Sequence, residues 1–67
     1  MDKLELVLTE ALPYVSNLEY AKELILNSKD LEELKEKINN LLKEEKDITK
    51  KTDLRIILEK IEEIENE

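Results

Sequence analysis

Apolar residues return at intervals of three and four along most of the chain, and these intervals sort it into four runs. The clearest run is Leu31, Leu34, Ile38, Leu41 and Leu42. At about 100° per residue these side chains share one narrow face of a helix. Glu32, Glu33, Lys35, Glu36, Lys37, Lys43 and Glu44 fall on the rest of the wheel, where water solvates them. Earlier in the chain, Leu4, Val7, Leu8, Ala11 and Leu12 cluster within about 140°, with Leu6 on the opposite side. Leu18, Ala21 and Ile25 centre the next stripe, which Tyr20 and Leu24 widen on one side and Leu26 on the other. The last run is Leu54, Ile57, Leu58, Ile61 and Ile64, with Ile56 on its far side.

Polar residues punctuate these runs where helix ends belong. Asp2 with Glu5, Ser16 with Glu19, and Asp30 with Glu33 each have the spacing of a capping box, in which a side chain at the helix start accepts a backbone N–H. Pro13 has no N–H to donate and disfavours helical angles at Leu12, so the first helix is expected to end there; if Pro13 only kinks it, helices one and two are continuous. Asn27 is the residue expected to close the second helix in a left-handed conformation, since the chain has no Gly for that position. Ser28 or Asp30 then opens the third helix after a tight corner. The periodicity stops over Lys46–Thr52, where Asp47, Thr49 and Thr52 all qualify as caps for the fourth.

The expected fold is all-α: a small antiparallel bundle of four short helices in one domain over residues 1–67, or three helices in the kinked case. The alternating spacings 31/34/38/41 and 54/57/61/64 are the seam geometry of helices packed at a shallow angle, so helices three and four should form an antiparallel hairpin around Ile48. Composition agrees and sharpens the picture. Sixty-seven residues with no Cys and no His offer neither disulfide nor zinc to hold a small fold, so packing among Leu, Ile, Val and Ala must do it.

The formal charge of −7 argues against a nucleic-acid or anionic-membrane partner, both of which need a concentrated positive field. No apolar run exceeds three residues, so neither a signal peptide nor a spanning helix is expected, and a cytoplasmic protein is the default. Catalysis is not expected either. The usual general base and the strongest nucleophile are both missing, and Ser16 and Ser28 stand where helix caps belong. Carboxylates at helical spacing, such as Glu33/Glu36 and Glu59/Glu62/Glu63, alternate with Lys off the apolar face, as a solvated surface does; no metal or cofactor is expected.

Three features go beyond a plain bundle. Positive charge gathers only at Lys50, Lys51 and Arg55, a candidate electrostatic contact, but it is interleaved with Glu44, Glu45, Asp47 and Asp53 and has no aromatic residue for base stacking. The last helix is basic at its start and acidic at Glu59, Glu62, Glu63, Glu65 and Glu67, so both ends oppose its macrodipole. Either neighbouring helices supply counter-charges, or the helix pairs antiparallel with its copy, setting Lys50/Lys51 against Glu62/Glu63. Finally, Leu6, Tyr20, Leu26 and Ile56 stand off the predicted core faces and are the candidate protein interface, with a homodimer as one form of it. The function expected from these features is protein–protein interaction without catalysis, by self-association or partner binding. The alternatives are a designed or function-free scaffold and a nucleic-acid-associated regulator using the Lys50–Arg55 corner.

Overall fold

The computed structural model describes residues 2–66 and contains four helices: α1 (Lys3–Ala11), α2 (Leu18–Leu26), α3 (Leu31–Glu44) and α4 (Ile48–Glu65). Each starts on a side chain that accepts a backbone N–H, which satisfies donors that have no partner within the helix. Asp2 accepts from Leu4, Asn17 from Tyr20, Asp30 from Glu33, and Asp47 from Thr49 and Lys50. Asp2 and Asp30 were expected in this role. The cap of α2 is Asn17, one residue beyond the expected Ser16: the Asn17 side chain accepts the Tyr20 N–H, and the backbone N–H groups of both residues go to a carboxylate described below.

Pro13 ends α1, so the bundle has four helices. Leu12 nevertheless keeps right-handed angles (φ −49°, ψ −43°) and its N–H reaches the Leu8 carbonyl; Tyr14 and Val15 then both donate to Ala11, winding the chain tightly out of the helix. At the end of α2 the expected left-handed cap is absent. Asn27 lies at φ −87°, ψ 0°, and no described residue has a positive φ. Ser28 serves this end of α2: its buried hydroxyl donates to the Leu24 carbonyl at 2.9 Å, and Lys37 of α3 donates to the Asn27 carbonyl at 3.2 Å. Asp30 alone opens α3. The stretch Lys46–Thr52, where periodicity lapses, is mostly helical, since α4 begins at Ile48.

The buried side chains form one cluster: Leu4, Val7 and Ala11 of α1, Val15 of the turn, Ala21 and Ile25 of α2, Leu31, Leu34 and Ile38 of α3, and Leu54, Ile57, Ile61 and Ile64 of α4. Its axis is α4, which packs on α1 and α3 and touches α2, while α1 also packs on α2. Lys35, near the start of α3, meets Glu65, at the end of α4, at 3.0 Å, so these two helices run antiparallel as the shared spacing implies. That ion pair also answers part of the dipole conflict of α4, with a neighbouring helix supplying the counter-charge. Glu67 lies outside the described residues.

One charged group sits at the centre. Asp53 is fully buried, on the side of α4 it shares with Ile57 and Ile61. One of its carboxylate oxygens accepts the Ser16 N–H at 2.8 Å and the other the Asn17 N–H at 3.0 Å, contacts that bridge 37 and 36 residues of sequence. A carboxylate accepts only, so two N–H donors at the start of a helix, where the macrodipole is positive, compensate its loss of water. No described buried side-chain polar atom is left without a partner.

Replacing Asp53 by Ala leaves both donors without their acceptor, and hydrogen bonds to charged groups contribute about 1.5–3 kcal/mol each. Asp53→Ala should therefore lower the unfolding free energy by about 3 kcal/mol or more in a urea titration, and Asp53→Asn, which keeps one acceptor oxygen, by less. Amide exchange in Asp53→Asn should quicken first over Leu18–Ala21. A change below about 0.5 kcal/mol for Asp53→Ala, the size of an ordinary surface substitution, would show that the contact does not hold the fold.

Candidate interaction surface

The helix least covered by the rest of the molecule is α2. Only Ala21 and Ile25 are buried, and Tyr20 and Leu24 pack half-buried against the core. The helix is thus turned toward its Tyr20/Leu24 side. Leu18, expected at the centre of the buried stripe, is 52% exposed, and Leu26 is 47% exposed. Two turns of helix separate them, about 12 Å, with Lys22 between them on the same side. Two open grooves lie side by side along this helix, one lined by Glu19, Lys22, Glu23, Leu26 and Asn27 and including part of the ridge, the next lined by Tyr20, Glu23, Leu24, Asn27 and Lys37, toward α3.

The docking of α2 explains this orientation. Asp53 holds the entering backbone at Ser16 and Asn17, and Lys37 holds the leaving backbone at Asn27, so both ends are fixed by polar contacts to other helices. Tyr20, Ala21, Leu24 and Ile25 of this nine-residue helix face the core. Its outer side is left to carry leucines.

Of the four residues proposed from the sequence, Leu26 alone is exposed; Leu6, Tyr20 and Ile56 are half-buried and pack against the core. They lie on three different helices. Leu18 was missed because it sits within the helical stripe, and periodicity alone does not say how far a helix is rotated about its axis. The other strongly exposed apolar side chains are Tyr14 and Ile48, at 63% and 78%. Tyr14 has the Lys60 ammonium 4.9 Å from its ring centre, and Lys60 also pairs with Glu63 at 3.2 Å, a contact that raises its pKa first through the hydrogen bond.

The structure does not gather the three cations of the α3–α4 corner. Lys50 turns toward α2, its ammonium 5.4 Å from the centre of the Tyr20 ring, while Lys51 is half-buried and Arg55 exposed. On the wheel of α4, Lys50 and Arg55 stand about 140° apart. Nearby carboxylates are engaged with backbone: Glu45 accepts the Asp47 N–H, Asp47 caps α4, and Asp53 is buried. Among the described residues no cluster of three or more His, Cys, Asp or Glu could hold a metal ion, and no helix is long and apolar enough to cross a membrane.

Comparison with known proteins yields a family and a relative. The profile of the MJ1579 family matches residues 1–66. Uncharacterized protein MJ1579 of Methanocaldococcus jannaschii is 53% identical over 64 residues, which cover 96% of this chain and 91% of that protein. No solved structure matches the chain.

Partial burial of Tyr20, and then the negative charges of Glu45 and Asp53, push its phenol above the ordinary value of 10.0. The folded state therefore prefers the neutral phenol. Its contribution to stability is complete below pH 10 and is lost as the pH rises through the elevated pKa. Lys35, raised by its hydrogen bond to Glu65 and then by that group's charge, works in the same direction at high pH. In a Tyr14→Phe variant the single remaining phenol should titrate, by phenolate absorbance, with a midpoint above 10.0. A midpoint at or below that value would mean Tyr20 is not held against α4 and the α3–α4 corner.

Proposed function

The chain belongs to the MJ1579 family. From the geometry of α2 we propose that it acts by binding protein through the outer side of that helix, without catalysis. The observation that carries this reading is the pairing of Leu18 and Leu26 on a helix held by polar contacts at both ends. Two leucines on one helical ridge, with a groove reaching Leu26, offer a partner apolar anchors at little cost in ordering, and the flanking Glu19, Lys22 and Glu23 set its orientation. Leu6, Tyr20 and Ile56, the other residues picked out by sequence, serve in this reading chiefly to seat α1, α2 and α4 on the core. The nucleic-acid alternative draws less support, because Lys50 faces a tyrosine ring and away from Arg55. A relative in Methanocaldococcus jannaschii, 53% identical along nearly the whole chain, counts against a designed scaffold.

A photo-crosslinking residue placed at Lys22, in the native host, tests the reading directly. It should yield adducts with one protein species that are absent when the same residue is placed at Glu36 on α3. Adding Leu18→Glu and Leu26→Glu should remove those adducts while leaving the circular dichroism unchanged. Equal adducts from both positions, or none from Lys22, would sink the proposal.

A further inference from the structure

The outer side of α4 carries a charge pattern that is its own complement. Ile48, Lys51, Arg55, Glu59, Glu62 and Asn66 fall within about 100° of the helical wheel, turned away from the arc of Leu54, Ile57, Ile61 and Ile64. All six are exposed except Lys51, which is half-buried. Read from the start of the helix, the stripe is basic and then acidic. Among the described residues, Lys51, Arg55, Glu59 and Glu62 take part in no ion pair; those present are Lys35–Glu65, Lys37–Glu33 and Lys60–Glu63. Arg55 and Glu59 are one turn apart but do not pair within the helix, where a base preceding an acid is the weaker orientation.

We infer that α4 pairs antiparallel with α4 of a second copy of this chain. A two-fold axis at the level of Ile57 sets Arg55 beside Glu59 of the second copy, Glu59 beside its Arg55, and Lys51 within reach of its Glu62. Closed two-fold association requires a surface to complement itself, and this sequence of charges does so only when the helices run in opposite directions. The same arrangement places the acidic end of one α4 beside the basic end of the other, relieving the conflict each has with its own macrodipole. A polyanion would meet the carboxylates of the second half of the stripe, and a polycation the bases of the first. A second copy is the partner that fits both halves. Because the contact is polar and at the surface, its strength falls with salt.

Sedimentation equilibrium over a range of concentrations tests this, at roughly 20 mM and roughly 500 mM salt, which shorten the reach of charges from about 20 Å to a few ångströms. A dimer is expected at low salt, with an association constant at least tenfold weaker at high salt. R55E and E59R should each be monomeric under the low-salt conditions, since each sets like charges against each other across the axis. Mixed in equal amounts they should form a heterodimer, because the carboxylate introduced in one then meets the guanidinium introduced in the other. L18E/L26E should dimerise as the unmodified chain does, which separates this surface from the one on α2. Circular dichroism identifies any variant that has lost its helices. The inference is overturned by a chain that stays monomeric at low salt, by a dimer that survives in R55E and E59R alone, or by folded variants that fail to combine when mixed.

Discussion

The bond between the Asp53 carboxylate and the Ser16 and Asn17 amides is the constraint on which the arrangement of this bundle rests. α2 has two buried side chains, one of them an alanine, and so cannot secure itself by apolar packing alone. The buried anion compensates by fixing where the chain re-enters helix after Pro13. It is directional where the surrounding leucine and isoleucine contacts are not. A carboxylate with two backbone donors fits one placement of α2 along α4, whereas apolar stripes tolerate sliding and rotation. The same contact holds the backbone just before Leu18, which stands outward on the exposed side of α2.

Much of this was legible in the sequence, where two physical signals agreed. The stripes of α3 and α4 are long, and capping residues bound them, so helix type, core face and antiparallel pairing all follow from periodicity. Pro13 as a terminator was equally readable. Asp53 was not, although a trace of it was present. It lies four residues before Ile57 and eight before Ile61, and so stands on the buried side of α4, where a charge is costly unless it is partnered. Its donors come from a turn 36 and 37 residues earlier, and no local pattern announces a contact of that separation.

The remaining differences lie in which side chains partner the backbone at helix ends. Ser16 has the right chemistry for a cap, but Asp53 accepts the amides of both Ser16 and Asn17, and it is the Asn17 side chain that receives the Tyr20 N–H. Ser28 is drawn to the carbonyl end of α2 by the Leu24 oxygen. The stretch before Leu54 is polar enough to resemble a loop, yet it is helical because Asp47 satisfies two of its leading amides and the Thr52 hydroxyl returns to the Ile48 carbonyl. At the surface, the exposed apolar residues could be counted from sequence but not assembled. Which of them form a ridge depends on helix rotation, which periodicity alone does not give.

The absence of any positive φ among the described residues has a consequence for the unfolded chain. Every turn between these helices is made in backbone conformations open to any residue, so the fold requires no glycine, and the sequence contains none. Glycine widens the range of conformations that a denatured chain explores and that folding must give up. A chain without it begins from a narrower ensemble. Part of what allows 67 residues to hold four helices without disulfide or metal therefore lies outside the folded structure, in a disordered state that has less freedom to surrender.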